Sequence, residues 1–433
     1  MSMMSFITPS HDPTYLDEVW ARIQAQTFED WEWVIVANGE RKKEVLAKAQ
    51  KFEDVDVRVV PEEFDSDKIG ALKRYACEKA LGKILVELDH DDIIVPQCLE
   101  RIAMAFEANC KQDRTEEAFL FSDAATCSFD GENHVFDKNW GWHHYSWAFE
   151  GRPYLINRNF PVTARSLCEI IHAPDHIRAW SREAYLKAGK HNPMMRVGDD
   201  HELIVRTYLA GVPFIYIAEP LYIHRLKPTT TSQSSLPEIQ TTSWNTRDRN
   251  LHALVQEWCR RENLPMIDLG GAHNSPSGYV PLDVGLPNTI RGIRADIRAH
   301  EFPKNSIGCF RACDFLEHIP KPEIPALLNK LYDALVPGGW LLTITPSVEG
   351  PNGEVGRGAF QDPTHVSFWE PNSWLYYTNR EWAKYIPNYR ARFQKVRCQT
   401  EYPSENHRLM RIPYLYADCC ALKGQVHPGL EEI

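Results

Sequence analysis

The apolar run Lys83-Ile84-Leu85-Val86-Glu87-Leu88 stops abruptly at Asp89-His90-Asp91-Asp92. No other feature of the chain constrains its fold more. Such a run reads as a buried strand. A polar stop at the carboxyl end of a strand is where an α/β sheet carries its site. The flanking segments fit that reading. Ser5-Phe6-Ile7-Thr8 reads as a strand ending at Pro9, Trp33-Val34-Ile35-Val36-Ala37 as a buried strand ending at Asn38-Gly39, and Val55 to Val60 as another. Between them, Tyr15 to Gln26 puts Leu16, Val19, Trp20 and Ile23 on one helical face, a charged helix follows from Glu40, and a further helix covers Lys68 to Ala80.

The 433 residues predict two or three domains. A polar, Ser- and Thr-rich stretch from Ser232 to Trp244 reads as a boundary, followed by a helix with Leu251, Leu254, Val255 and Trp258 at helical spacing. Alternation then restarts at Met266-Ile267-Asp268-Leu269, Tyr279-Val280-Pro281-Leu282-Asp283 and Trp340-Leu341-Leu342-Thr343-Ile344. The expected organisation is residues 1–235, a linker and helix over 236–262, and a second α/β unit over 263–433.

Composition removes several classes of function. Lys+Arg number 48 against 59 Asp+Glu, a net charge of −11 that disfavours nucleic-acid binding through phosphate neutralisation. No apolar run is long enough for a transmembrane helix, and Met1 to Phe6 lacks the features of a signal peptide. The cysteines form no C-x-x-C pair, so they read as reduced core residues and not as structural zinc ligands. The expected location is cytoplasmic.

Carboxylates crowded at a strand end repel unless a cation lies between them, and oxygen ligands suit Mg²⁺ or Mn²⁺, which hold a diphosphate. Asp89, Asp91 and Asp92 fit that description, and equally an acidic first turn of a helix. Gly198-Asp199-Asp200-His201-Glu202-Leu203 offers either a general base or a helix cap. After a strand expected over Pro213 to Ala218, Tyr222-Ile223-His224-Arg225 offers a metal ligand and a phosphate partner, or a structural pair.

In their order along the chain these pieces resemble a family-2 glycosyltransferase of the GT-A fold. The resemblance also takes in Ile7-Thr8-Pro9-Ser10-His11-Asp12, Val34 to Gly39, and Lys68-Ile69-Gly70-Ala71. It implies a nucleotide-sugar donor, a glycan or other hydroxyl acceptor, and Mn²⁺ or Mg²⁺. Pro9, Ser10, Asp12, Asn38, Lys68, Asp89 and Arg225 would bind the donor. Asp89, Asp91 and His224 would hold the metal, and Asp200, beside Asp199, would be the base. Family members often carry an acidic residue where Asn38 stands, which leaves the nucleobase open.

Ile267-Asp268-Leu269-Gly270-Gly271 runs a strand into a glycine turn, and Asp283 ends the next strand after a connection too short for a crossover helix. Together with Ala295-Asp296-Ile297-Arg298, Phe315-Leu316-Glu317-His318-Ile319 and Leu335 to Trp340, this resembles a class I S-adenosylmethionine methyltransferase of Rossmann-like fold. The resemblance implies S-adenosylmethionine bound by Asp268, Gly270, Gly271, Asp283 and Asp296, with Glu317 and His318 near the methyl-transfer site. His273 stands where another glycine is common and would crowd the cofactor. Asp362-Pro363-Thr364-His365 reads as a turn or as a polar group facing an acceptor. The expectation is therefore a bifunctional α/β enzyme, glycosyltransferase then methyltransferase, with homo-oligomerisation open; a transferase joined to a non-catalytic docking module is the alternative.

Overall fold

The computed structural model describes residues 4–52, 57–61, 67–171, 173–227 and 234–424. The chain divides into two compact units, Met1–Asn250 and Leu251–Ile433.

In the first unit, strands β1 (Met4–Ser10), β2 (Trp31–Ala37), β3 (Val57–Pro61) and β4 (Ile84–Glu87) run parallel, linked through helices α1 (Leu16–Gln24), α2 (Lys42–Ala49) and α3 (Ile69–Lys79). The sheet continues through β5 (Ile93–Ile94), β6 (Phe119–Ser128), β7 (Asn133–His134), β8 (His143–Phe149), β9 (Arg152–Arg158), β10 (Arg178–Ser181) and β11 (Phe214–Leu226). Its order is β3-β2-β1-β4-β10-β6-β11-β5, with β10 antiparallel between β4 and β6 and the β8–β9 hairpin attached to β6. Strands β1, β2 and β4 are buried along their whole length, as strands covered on both faces must be. Leu16, Val19 and Ile23 supply the buried face of α1, and Trp20 stacks on Trp33 and Phe52 at 6.0 and 5.4 Å. Helix α4 (Cys98–Asp113) buries Leu99, Ile102 and Phe106 in the same core, and the short helices α5 (Ala164–Glu169) and α6 (Arg182–Lys187) follow it in the chain.

Three boundaries differ from expectation, and a fourth falls partly outside the described residues. β1 does not stop at Pro9 but runs to Ser10. The last β4 partner is Ile7 opposite Glu87, so Pro9 has one neighbour left to pair with and its missing N–H is tolerated. Val57 to Val60 lie in β3, while Val55 and Asp56 fall outside the described residues. The strand expected over Pro213 to Ala218 continues to Leu226, with register shifts around Pro220. The polar stretch taken as a linker is helical from Leu236, in a helix running to Arg261; Ser232 and Gln233 lie outside the described residues. Thr241 and Thr246 donate to the carbonyls of Pro237 and Thr242, which lets hydroxylated residues sit inside a helix. No helix among the described residues is long and apolar enough to cross a membrane.

Gly70 sets one contact on which the site depends. A Cβ there would lie 2.2 Å from the Asn192 carbonyl oxygen, and the Gly70 amide donates to the Met195 carbonyl at 3.1 Å. This close approach brings the start of α3 onto the segment that carries His191.

In the second unit, β12 (Met266–Leu269), β13 (Val280–Leu282), β14 (Ile307–Cys313), β15 (Leu335–Pro346), β16 (Phe393–Glu401) and β17 (Tyr414–Ala421) form a sheet of order β13-β12-β14-β15-β17-β16. The first four are parallel and β17 is antiparallel to both of its neighbours. The helix Ile324–Ala334 covers it with Leu327, Leu328 and Leu331. Strand order reverses between β12 and β14, and such a switch point opens a crevice at the carboxyl ends of the strands. The β12–β13 connection is made of turns, as its length dictates.

Replacing Gly70 by Ala should lower the unfolding free energy by ~1–3 kcal/mol, the usual cost of overpacking a tight contact; the urea midpoint of the purified chain checks it.

Candidate functional site

The carboxyl ends of β1, β2 and β4 and the end of β11 converge. The Asn38 amide donates to the Ser10 carbonyl at 2.9 Å, joining the ends of β1 and β2. The Thr8 hydroxyl donates to the Leu88 carbonyl at 2.7 Å, joining β1 to the acidic run. The rings of His11 and His90 meet edge to face at 4.8 Å.

Asp92 is the buried anchor of that run. It accepts from the Tyr222 hydroxyl at 2.8 Å and from the Arg225 amide at 2.7 Å, and the Asp89 amide donates to the same tyrosine oxygen at 3.2 Å. Burial pushes the Asp92 carboxyl up to about 7; His224 opposes the rise, and Asp89 and Asp91 add to it by repulsion. Burial disfavours a charged His224, yet the carboxylates Asp92, Asp175, Asp89 and Asp91 outweigh it and raise the imidazole above its ordinary value. The field at this edge is strongly negative. Lys227 approaches Asp91 at 3.5 Å.

Beneath this edge lies a buried charge cluster. Lys73 of α3 sits 3.2 Å from Glu87 and 3.4 Å from Asp199, and His191 sits 3.1 Å from Glu87 and 3.6 Å from Asp199. Tyr185 fixes the other ring nitrogen of His191 at 2.9 Å. Burial would raise Glu87, but Lys73 and His191 outweigh it and hold the carboxyl near 2. Asp199 is raised by burial against the pull of Lys73.

The two aspartates that open α7 (Asp199–Leu209) thus face different surroundings. The Asp199 side chain is 6% exposed and turned into the cluster, whereas that of Asp200 is 27% exposed. Asp200 accepts from Arg178 at 2.5 Å and from the His201 amide at 2.7 Å. Burial would raise Asp200, yet Arg178 and Lys73 hold it far below the ordinary carboxylate range. Arg178 keeps it ionised, as a base must be, while lowering its basicity. His176 is held well below its ordinary value by burial and by Arg178; its ring stacks on Tyr222 at 4.6 Å.

The structure separates the expected donor ligands. Asn38 ends β2 with a buried Oδ1 that accepts no hydrogen bond among the described residues. Pro9 and Ser10 are buried within β1, and Asp12 accepts from Thr14 and pairs with Arg41 at 2.7 Å. Lys68 lies beside Met194 at 3.8 Å. Arg225 is structural in its contacts: it pairs with Glu18 at 2.8 Å, donates to the Asp91 carbonyl, and stands over the rings of Tyr15 and Phe129. Asp89, Asp91 and His224 do not bring three ligand atoms together; among the described residues such a trio occurs only at Glu317, His318 and His365. Lys73, Glu87, Arg178 and His191 escaped the sequence reading. Glu87 inside an apolar strand was the available signal.

In the second unit, Gly270 lies at the switch point with φ +76°, where a Cβ would meet the Phe315 ring at 2.9 Å. Asp268 is buried and accepts from Arg311 at 2.7 Å, and a Cβ on Gly271 would lie 2.5 Å from its other oxygen. Asp283 accepts from the Gly285 amide at 2.6 Å, and Asp296 pairs with Arg298 at 2.6 Å. His273 is exposed and does not fill the turn. Burial pushes Glu317 up to about 8.

Residues 5–113 match the family model described as glycosyl transferase family 2. Over 227 residues the chain is 24% identical to the O-antigen biosynthesis protein RfbC of Myxococcus xanthus, a match covering 51% of this chain and 16% of that protein. The chain therefore spans only a small part of that relative. Similar solved structures include S. aureus TarS 1–349 in complex with UDP-GlcNAc, at 15% identity and a TM-score of 0.43, covering 61% of this chain and 72% of that one. The mannosyltransferase PcManGT from Pyrobaculum calidifontis, in complex with GDP-Man and Mn²⁺, has 14% identity and a TM-score of 0.37, covering 58% and 68%.

Replacing Lys73 by Met strands Glu87 and Asp199 in the interior. It should cost ~3–5 kcal/mol, as breaking a buried ion pair from one side does; chemical denaturation of the variant against wild type reads that loss.

Proposed function

We propose that the N-terminal unit is a metal-dependent, inverting glycosyltransferase of the GT-A type, acting on a nucleotide-sugar donor and a hydroxyl acceptor. The observation that carries this reading is the acidic edge after β4 with one partly exposed carboxylate, Asp200, opening α7, in a chain whose residues 5–113 match the family profile. The relative is named for O-antigen biosynthesis, which supports a glycan as the acceptor.

The edge suits a hard cation. Its carboxylate field is strong enough to raise a histidine that burial alone would lower. A cation completed by diphosphate oxygens needs only one or two protein carboxylates, so a preformed trio is not required. Asp91 and Asp89 would hold Mg²⁺ or Mn²⁺, which would offset the charge that develops on the departing nucleoside diphosphate. Asn38, with its unpaired Oδ1, is available to a nucleobase donor group. Asp200 takes the proton of the acceptor hydroxyl as that oxygen bonds to the anomeric carbon. The bond from the anomeric carbon to the phosphate oxygen breaks, and its electron pair leaves with the diphosphate. A single displacement of this kind inverts the anomeric centre.

For Leu251–Ile433 a docking or binding role has the stronger support. A second reading, S-adenosylmethionine-dependent methyl transfer, is favoured by the glycine turn at the switch point. Against it, Phe315 roofs Gly270, and Asp268 and Asp296 are committed to arginines. Asp283 is half-buried and already accepts from the Gly285 amide. The set does not form an adenosine cradle as it stands.

A thermal-shift screen of nucleotide sugars with Mn²⁺ or Mg²⁺ tests the main reading, since a donor at ~100 times its Kd stabilises by about 2.7 kcal/mol. Asp200→Asn should leave donor binding within a few-fold and abolish transfer, while Asp91→Asn should cost transfer ~100-fold or more. Full transfer by either variant, or full activity in EDTA, overturns the assignment.

A further inference from the structure

We propose that the second unit carries a transition-metal site of its own, built from Glu317, His318 and His365. One ligand atom from each lies within 4.8 Å of the other two, close enough for a small side-chain adjustment to bring all three onto one ion with bonds of about 2.0–2.2 Å. The rings of the two histidines meet edge to face at 5.0 Å.

The carboxylate points to a missing ligand. Glu317 is 2% exposed, and neither of its oxygens has a hydrogen-bond partner among the described residues. The amides of Phe315 and of Glu317 itself lie near the carboxylate, but neither closes a hydrogen bond on it. A buried carboxylate left without partners is costly, and a cation between it and two imidazoles removes that cost.

The histidines are set in the tautomer that binds metal. Nδ1 of His365 lies 2.9 Å from the Ala359 carbonyl, which can only accept, so Nδ1 carries the proton. Thr364 donates its hydroxyl proton to Asp362 at 2.6 Å. Its oxygen is then an acceptor for Nδ1 of His318, at 3.1 Å, with the Thr364 carbonyl at 3.3 Å. Both Nε2 lone pairs remain for an ion. Metal-binding histidines are oriented in this way, with the second nitrogen donating to oxygen.

The backbone holds the ligands in place before any ion arrives. Glu317 and His318 occupy a 3₁₀ turn, Leu316–His318, just beyond the end of β14. The amides of Val366 and Ser367 both donate to the Glu317 carbonyl, at 2.8 and 3.0 Å, and the Ser367 hydroxyl donates to the Leu316 carbonyl at 2.8 Å. The strand turn and the His365 segment are thereby tied together.

Two imidazoles and one carboxylate make a borderline donor set that suits Zn²⁺, Mn²⁺ or Fe²⁺ and not Mg²⁺ or Ca²⁺. His318 is exposed, so the remaining coordination positions open to water or to an oxygen of a bound molecule. The site stands independently of the transfer chemistry proposed for the first unit.

Titration calorimetry of the full chain with Zn²⁺, in excess Mg²⁺ to occupy oxygen-only sites, tests the proposal. Wild type should take up Zn²⁺ at one site that His318→Ala and His365→Gln each weaken at least ~10-fold. His318 is exposed, so its variant keeps the fold, which circular dichroism verifies. Co²⁺ should give a d–d absorption band that the same two variants lose. The proposal is overturned if wild type binds no Zn²⁺ at ~100 µM, or if both variants keep wild-type affinity and stoichiometry.

Discussion

The ammonium of Lys73, buried between Glu87 and Asp199, is the contact on which the first unit depends. It ties α3 to the last residue of β4 and to the first residue of α7. These three elements carry most of the site's chemistry. A buried ion pair adds little net stability over a well-packed apolar group, but it is intolerant of losing one partner. Its effect here is positional. With Asp199 held inward, the next residue of the helix must turn outward, and that residue is Asp200.

The same cluster explains how two adjacent aspartates come to differ. Asp199 spends its charge on Lys73 and His191, while Asp200 meets Arg178 and reaches the surface. A second division of labour runs along the acidic run. Asp92 is consumed by Tyr222 and by the Arg225 amide, fixing β11 against the end of β4. The order of the carboxylates in the chain therefore sorts them into inward-paired groups and groups that reach the surface, because successive residues at a helix start point roughly 100° apart.

Much of this was legible in the sequence, for reasons that follow from burial. Strands covered on both faces read as continuous apolar runs, so β1, β2 and β4 stood out, and the polar residues that ended them marked the site. Long-range pairing was hidden. Lys73 looks like any helical lysine until α3 is placed on β4, and Arg225 reads as a phosphate ligand until Glu18, Tyr15 and Phe129 enclose it. The stretch after Ser234 misled because Ser and Thr signal loops, whereas here the hydroxyls of Thr241 and Thr246 bond back within a helix.

The two units place chemistry at the same structural position, the carboxyl ends of parallel strands, with different donor atoms. At the end of β4 the groups are carboxylates, hard oxygen donors that favour a cation shared with phosphate. In the second unit they are one carboxylate and two imidazoles, whose softer nitrogens favour a transition ion that takes three of its ligands from the protein. The backbone reflects the distinction. Among the described residues the first set, spread over the segment after β4 and over β11, brings no three ligand atoms together, which fits the proposal that a substrate supplies the remaining oxygens. The second is drawn together by main-chain bonds to the Glu317 carbonyl, which fits the proposal that the protein supplies three ligands of its own. The length of chain between His318 and His365 costs little once those bonds close the loop, because loop-closure entropy grows only slowly with length.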